Sequence, residues 1–158
     1  MTALVHKYRI YILAGVLVAL WAIGFVNLML RPRVDIGEGR YRVEIAATPE
    51  ARAQGLSGRL RLAPNQGMIF HFPDDGKQCM WMKDMHFPLD IIWLNSVNWV
   101  VHIEENVTPE TYPKQFCAPE ANAHYVLELP AGQVAAKDIR VGKPAQLCNV
   151  TFRSCYYY

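Results

Sequence analysis

The sequence lacks an excess of either charge in the part that should fold. Of its 16 Lys and Arg residues, only Lys7 and Arg9 precede residue 31, so residues 31–158 hold fourteen basic residues against 14 acidic ones. Proteins that bind nucleic acid normally carry a basic stripe that displaces counterions from the phosphate backbone. No such stripe is present, and we therefore expect no nucleic-acid partner.

Recognised catalytic and zinc-binding signatures are missing too. No serine or cysteine lies in a known nucleophile motif, which leaves covalent hydrolysis without support. No His-x-x-x-His, Cys-x-x-Cys or paired-acid spacing indicates zinc. The sequence therefore predicts neither a covalent hydrolase nor a zinc site, and we expect no cofactor.

Charge is also missing from residues 10–30, IYILAGVLVALWAIGFVNLML. At 1.5 Å per residue, a helix of this length spans roughly the 30 Å hydrocarbon core of a bilayer. A buried helix of the same length in a soluble domain would normally show a polar stripe. We therefore predict a transmembrane helix over residues 10–30, with the lipid bilayer as its partner and a short basic N-terminus, residues 1–9, before it.

A cleaved signal peptide is the alternative to an uncleaved anchor. Lys7 and Arg9 form a basic region before the apolar run, and small residues near Gly24 suit a signal peptidase. Cleavage near Gly24 would release a secreted protein. The apolar run continues beyond that point, from Phe25 to Leu30, which favours the uncleaved anchor.

Four cysteines indicate the compartment of the C-terminal domain. Basic residues flank both ends of the apolar run, so their count alone does not orient it. An even number of cysteines in a small domain is typical of disulfides formed outside the cytoplasm. We therefore predict a single-pass protein of the cytoplasmic membrane with its C-terminal domain outside. The cysteines are Cys79, Cys117, Cys148 and Cys155.

The four cysteines allow three pairings. If residues 149–153 form a strand, the Cα atoms of Cys148 and Cys155 lie roughly 23 Å apart, beyond the reach of a disulfide. We predict a disulfide between Cys79 and Cys117. A tight loop closed by Cys148 and Cys155 is the alternative, and it leaves the first pair unchanged.

The rest of the chain is predicted to form one domain. Residues 31–40 mix charge, proline and glycine, as a linker does. A β-domain over residues 41–147 follows, and residues 148–158 form a C-terminal strand or tail with two cysteines. About 120 residues are enough for one modest core.

Short strands dominate this domain. Apolar residues alternate with charged ones from Tyr41 to Ile45, as in a half-buried strand. Six further runs bounded by turn residues predict strands at 68–72, 79–83, 89–94, 99–104, 124–129 and 145–153.

Two short helices complete the predicted elements. Thr48, Pro49 and Glu50 combine an N-cap, a proline suited to the first helical position and an acid near the positive helix end, which predicts a helix over 49–54. A second helix is predicted over 133–137. The predicted fold class is mainly β, an antiparallel β-sandwich or a partly closed barrel with two short helices, preceded by the transmembrane helix.

Five fragments, in this order, carry a family resemblance. They are Arg52-x-x-Gly55-Leu56, Gly67-Met68-Ile69-Phe70-x-Phe72, Trp81-Met82-Lys83, Pro88-Leu89-Asp90-Ile91 and Tyr125-Val126-Leu127-Glu128. Over residues 41–145 they resemble the uncharacterised prokaryotic domain of unknown function family number 192. The resemblance implies a compact, mostly β domain, often preceded by a signal sequence or anchor, and implies no established reaction. The chain departs from the family pattern at Asp84-Met85 and at Lys143.

A groove beside Trp81 is the main functional hypothesis. If residues 79–86 are extended, Trp81 and Lys83 point to the same face. A cation beside an aromatic wall suits an anionic or sugar-like ligand. We expect a groove that binds a small ligand, an envelope polymer or a protein partner. Its candidate residues are Trp81, Lys83, Asp90, Glu128 and Arg52.

Other interpretations of the same residues remain open. Trp81 could belong to the core while Lys83 pairs with Asp90 or Glu128, and Arg52 with Glu128 could form a structural ion pair. In an envelope enzyme that acts on a polysaccharide or another anionic polymer, Lys83 with Asp90 or Glu128 would serve as acid and base.

Copper handling is the least favoured hypothesis. Met80, Met82 and His86 would offer the soft and imidazole ligands that Cu(I) prefers. Methionines beside aromatic residues usually fill cores, however. We therefore treat these three residues as weak copper candidates only.

Overall fold

The computed structural model describes residues 2–29, 31–120 and 122–150. Predictions for Cys155 and for the rest of residues 151–158 lie outside the described residues. The chain divides into two compact units, Met1–Arg31 and Pro32–Tyr158.

The first unit contains one helix, α1, Thr2–Met29. Its described side chains, residues 11–25, are all exposed. Within the described parts of the chain, no helix meets both the length and the hydropathy that crossing a membrane requires, so the predicted transmembrane helix is unsupported.

The second unit is mainly β, which confirms that part of the predicted fold class. Two of its helices, α2 and α3, lie where the spacing predicts them. Its strands are β1 Arg33–Ile36, β2 Gly39–Ala46, β3 Gln66–Gly76, β4 Cys79–Trp81, β5 Leu89–Leu94, β6 Val100–Val107, β7 Gln115–Cys117, β8 Ala123–Pro130 and β9 Ala145–Cys148. Its helices are α2 Pro49–Gln54, a 3-10 turn at Pro109–Thr111 and α3 Gln133–Ala136.

Seven strands form one curled sheet, a half-barrel, in the order β6-β5-β8-β3-β2-β1-β9. The two edge strands approach each other at one end, where Trp99 and Pro144 form a β-bridge. The backbone N–H of Val100 donates to the carbonyl oxygen of Lys143 at 2.9 Å beside this bridge. Of the two predicted architectures, the partly closed barrel therefore matches the structure.

One strand pair corrects the prediction of an antiparallel sheet. β2 and β3 are parallel, in register from Arg42 with Gln66 to Ala46 with Phe70. Parallel neighbours need a crossover connection of a dozen or more residues. Residues 47–65, which contain α2, are long enough to return the chain to the same end of the sheet.

Two further strands replace predicted loops. Residues 33–36 were expected within a linker, but Val34 and Ile36 are buried and β1 pairs with both β2 and β9. β7 lies between the predicted strands 99–104 and 124–129, where no strand was expected, and pairs with β4 in a two-stranded ribbon. Both strands contain just three or four residues, so neither produces a clear alternating pattern.

The sheet has a hydrophobic core on each face. The first core draws on all seven strands of the sheet and on α3, with Tyr41, Ile69, Ile92 and Leu127 among its buried side chains. The second core lies on the other face of β3, β5 and β8, and Leu56 and the β4–β7 ribbon cover it. The second core and its cover hold most of the residues that the sequence singled out.

Candidate functional site

A cleft opens on the face of the second core, between the chain that leaves α2 and the end of β4. Its empty volume is about 260 Å³, a figure that includes space open to the solvent. We call it the Trp81 cleft. It is lined by residues 52–57, Phe70, Met80, Trp81, Met85 and Glu128.

Gly55 brings the first wall close to the sheet. It ends α2 with φ +49°, in the region that favours glycine. A Cβ atom at this position would lie 3.3 Å from Cζ of Phe70. The backbone after α2 therefore passes directly above the aromatic ring.

Two hydrogen bonds connect this wall to the turn that follows β4. The hydroxyl of Ser57 donates to the carbonyl oxygen of Lys83 at 2.8 Å, and the N–H of Gly58 donates to the carbonyl oxygen of Asp84 at 2.8 Å. Asp84 has φ +55°, and the chain turns there rather than continuing as a strand. The predicted strand over 79–83 consequently ends at Trp81.

The second wall is the β4–β7 ribbon, which a disulfide closes. Cys79 and Cys117 are register partners with Cα atoms 4.1 Å apart, and their disulfide is confirmed. No cysteine among the described residues is free, and Cys155 lies outside them. Trp81, at the end of the ribbon, is 47% exposed. Its indole is therefore open to a ligand entering the cleft.

Glu128 supplies the buried polar group of the Trp81 cleft. It lies on β8 and is 4% exposed. Among the described residues, none donates a hydrogen bond to its carboxyl group or forms an ion pair with it. Burial raises the pKa of Glu128 to about 8, because the charged form loses its hydration. The group is therefore mostly protonated at neutral pH.

Asp90 lies on the opposite face of the sheet from Glu128. In the register of β5 and β8, Glu128 is opposite Ile91, whereas Asp90 is opposite Leu129. Successive residues of a strand point to opposite faces. The structure therefore separates Asp90 from the Trp81 cleft.

The Asp90 carboxylate is fully buried, and each of its oxygens accepts a hydrogen bond. One oxygen accepts from the N–H of Asn106 at 2.9 Å, and the other accepts from the N–H of Val134 at 2.8 Å. Burial, together with the charge of Asp90, raises the pKa of Tyr41 to about 12. These contacts connect β5 to the end of β6 and to α3, which is a structural role.

Lys83 lies outside the cleft, whereas Arg52 lines it but does not form the alternative ion pair with Glu128. Lys83 is exposed and does not line the cleft. Arg52 lines it, but its Nη1 donates to the carbonyl oxygens of Ala47 and His71. No ion pair joins Arg52 to Glu128 in the described chain, because the backbone carbonyls already stabilise the guanidinium charge.

The copper candidates are also dispersed. Met80 and Met82 are buried in the second core, where their thioethers pack against other apolar side chains. His86 is exposed. Across the residues that the structure describes, no group of three or more His, Cys, Asp or Glu side chains could hold a metal ion.

Fragments that carry the family resemblance meet at the cleft. Four of the five contribute lining residues, namely Arg52, Gly55 and Leu56, then Phe70, Trp81 and Glu128. Phe70, Leu56 and Ser57 were not among the predicted site residues. Phe70 and Leu56 belong to the family fragments, which could have pointed to them. The contact of Ser57 with Lys83 depends on how the chain folds and had no signal in the sequence.

The fold and the cleft define a small β-domain whose sheet carries a second layer on one face. The chain belongs to the DUF192 family, described as an uncharacterized ACR, whose model matches residues 33–147. This match confirms the resemblance seen in the five fragments. Among curated proteins, none matches the chain.

Two solved bacterial structures are similar to the chain. One is a proposed transcription regulator from Sinorhizobium meliloti 1021, 33% identical, with a TM-score of 0.67 over 74% of this chain and 92% of the other. The second is a protein of unknown function from Novosphingobium aromaticivorans DSM 12444, 30% identical, with a TM-score of 0.67 over 73% of this chain and 83% of the other.

Proposed function

We propose that the domain binds a small ligand in the Trp81 cleft, with Glu128 as the polar anchor. The observation that carries the proposal is a buried carboxyl group without a partner among the described residues, at a cleft that is open to solvent. Buried polar groups are normally hydrogen-bonded, and an unpaired one costs free energy. A bound ligand would supply the missing partner.

Binding is better supported than catalysis. An acid/base pair of Lys83 with Asp90 or Glu128 needs both groups in one site. Lys83 does not line the cleft, and Asp90 points to the other face of the sheet. The cleft therefore offers one titrating carboxyl group without the second group that the enzyme hypothesis names.

The description of the S. meliloti protein introduces nucleic acid as a possible partner. The balanced charge of residues 31–158 argues against DNA binding, since phosphate contacts need a basic surface. Where Glu128 is ionised, its negative charge also repels phosphate. We propose that the domain acts without nucleic acid, and a mobility-shift assay with duplex DNA at low salt should show no complex.

We also propose that residues 10–30 anchor the protein in the cytoplasmic membrane with the β-domain outside. The support is an uncharged run of bilayer length and a disulfide between Cys79 and Cys117, a bond typical of oxidising compartments. Alkaline phosphatase fused to the C-terminus should be active. A matched fusion to green fluorescent protein should not fluoresce, because that protein does not fold after Sec-dependent export. A soluble product truncated near Gly24 would support the secreted form instead.

The cleft proposal is tested by ligand-observed NMR on the full chain. Four small probes cover the main ligand classes: n-butylammonium, butyrate, butyramide and N-acetylglucosamine. At least one should bind, and Trp81→Ala or Glu128→Gln should weaken its binding at least fivefold. Lys83→Ala is the matched control, because Lys83 is charged, nearby and outside the lining.

Two results would overturn the cleft proposal. One is the absence of binding by all four probes. The other is binding that survives both Trp81→Ala and Glu128→Gln, since the ligand would then occupy a different part of the surface.

A further inference from the structure

We infer that the ligand of the Trp81 cleft presents a primary ammonium group to Glu128. The inference rests on the proposed binding function and narrows it to one class of ligand. It is based on three features of the cleft. The buried carboxyl group has no partner among the described residues, one wall is aromatic, and the guanidinium of Arg52 already donates to backbone carbonyls.

The carboxyl group needs hydrogen-bond donors. An ionised Glu128 offers two oxygens with about four lone-pair sites, and the described residues donate to none of them. A primary ammonium carries three N–H donors and one positive charge. It therefore supplies both the donors and the counter-charge, and such charge-assisted hydrogen bonds are stronger than neutral ones.

The walls suit the rest of such a ligand. Trp81 presents a half-exposed indole, and Phe70 contributes a second aromatic ring beneath the chain that leaves α2. Aromatic faces attract cations, and the thioethers of Met80 and Met85 offer adaptable apolar contact. An alkyl stem can pack against these side chains while its ammonium head reaches Glu128.

An anionic ligand fits the same cleft poorly. Arg52 is the cation of the lining, and its Nη1 donates to the carbonyl oxygens of Ala47 and His71. The guanidinium also lies over the ring of Phe72, 5.2 Å from its centroid. An anion in the cleft would also lie beside Glu128, and the two negative charges would repel each other where Glu128 is ionised.

The charged groups around Glu128 do not replace the ammonium. On the same face of the sheet, two strands away, Glu44 is neutralised by Arg59, whose Nη2 donates at 2.7 Å. On the other side, Glu104 contacts the ring of His102 at 3.1 Å.

Lys114 immediately precedes β7, but its Nζ lies over the ring of Phe116, 4.4 Å from the centroid. The lining of the cleft includes none of Glu44, Arg59, His102, Glu104 and Lys114. Its charged or titrating side chains are Arg52 and Glu128.

The pH dependence of affinity distinguishes an ammonium from a neutral ligand. An ammonium binds ionised Glu128, so below pH 8 its affinity should rise roughly tenfold per pH unit and then level off. Alkylammonium groups resemble the lysine side chain and stay charged through this range. A neutral carbonyl acceptor would instead bind protonated Glu128 and weaken above pH 8.

Titration of the full chain with n-butylammonium from pH 6 to pH 9 tests the inference. We expect the rising profile, with proton release at pH 7 shown by calorimetry in buffers of different ionisation enthalpy. Glu128→Gln should flatten the profile, whereas Trp81→Ala should weaken binding equally at every pH. Ac-Gly-Lys-Gly-NH2 distinguishes a protein side chain from a free amine as the source of the ammonium.

Matched probes separate failure of the inference from failure of the proposed function. If butyramide or butyrate binds through Trp81 and Glu128 and n-butylammonium does not, the ligand class is wrong and the binding function stands. If tetramethylammonium binds as tightly as n-butylammonium, the N–H donors are irrelevant and the inference is overturned. If none of these probes binds, both the inference and the binding function are overturned.

Discussion

Asp90 and Glu128 are two buried carboxyl groups on neighbouring strands, and their surroundings differ completely. Asp90 accepts hydrogen bonds from the backbone N–H groups of Asn106 and Val134. Glu128 has no such donor among the described residues, and burial raises its pKa to about 8. Both residues would be classed as buried acids from exposure alone, so the presence or absence of donors is what separates a structural acid from a candidate binding group.

The two faces of the sheet explain this difference. Asp90 faces the first core, where α3 and the end of β6 direct backbone N–H groups toward it. Glu128 faces the second core, whose cover consists of α2, the chain that follows it and the β4–β7 ribbon. The cover leaves a cleft above Glu128 and supplies it with no donor in the described residues.

Removing the Asp90 carboxylate should have the largest effect on stability. Asp90→Ala leaves the buried N–H of Val134 and the part-buried N–H of Asn106 without acceptors, and we expect the free energy of unfolding to fall by about 3–5 kcal/mol. Urea unfolding at pH 7 measures the change. Asp90→Asn is the matched control and should cost less, because its amide oxygen can still accept one hydrogen bond. A loss below about 1 kcal/mol for Asp90→Ala would contradict the structural role.

Glu128→Gln should change the pH dependence of stability. The folded pKa of about 8 lies above the ordinary value of 4.5, so the folded state retains a proton that the unfolded state releases. The stability contribution is complete below pH 4.5 and is lost as pH rises through 8, with a total on the order of 5 kcal/mol over that whole pH range. The glutamine variant should therefore match the wild type near pH 5 and exceed its stability at pH 9.

Urea unfolding of both proteins at pH 5, 7 and 9 checks the prediction for Glu128. Parallel stability curves for wild type and Glu128→Gln would show that Glu128 titrates near its ordinary pKa. In that case the two carboxyl groups would be more alike than their surroundings indicate.

Gly55→Ala should have the smallest effect of the three changes. Its positive φ disfavours a side chain, and the added Cβ would lie 3.3 Å from Phe70, so we expect a loss of about 1–2 kcal/mol. Gly58→Ala is the matched control, with φ +78° and no atom within 4 Å of the added Cβ. Equal losses by urea unfolding would mean that the contact with Phe70 is unimportant to the wall over Glu128.

The elements with strong local signals were predictable from the sequence. Thr48 caps α2 by accepting from the N–H of Ala51, and the helix spans the residues that the capping pattern indicated. The apolar run of β5 likewise matches its predicted bounds. β1 and β7 were missed, since three or four residues are too few for an alternating pattern to stand out.

The candidate site was predictable only in part. Trp81, Arg52 and Glu128 meet at the cleft, whereas Lys83 and Asp90 do not line it. Lys83 was placed beside Trp81 by assuming an extended chain through residue 86, but the chain turns at Asp84. The register of β5 with β8 puts Asp90 on the other face, and register depends on contacts distant in sequence.

Local patterns in the chain were enough to establish a mainly β domain, its two short helices and the family to which it belongs. The first disulfide was also predicted, because both arrangements considered for Cys148 and Cys155 kept Cys79 paired with Cys117. These features depend on neighbouring residues and on covalent geometry. The parallel β2–β3 pair, the approach of the sheet edges and the contrasting surroundings of Asp90 and Glu128 were decided by tertiary structure. Each depends on which distant strands pair and in which register, and a one-residue slip of β5 against β8 would put Asp90 on the same face as Glu128.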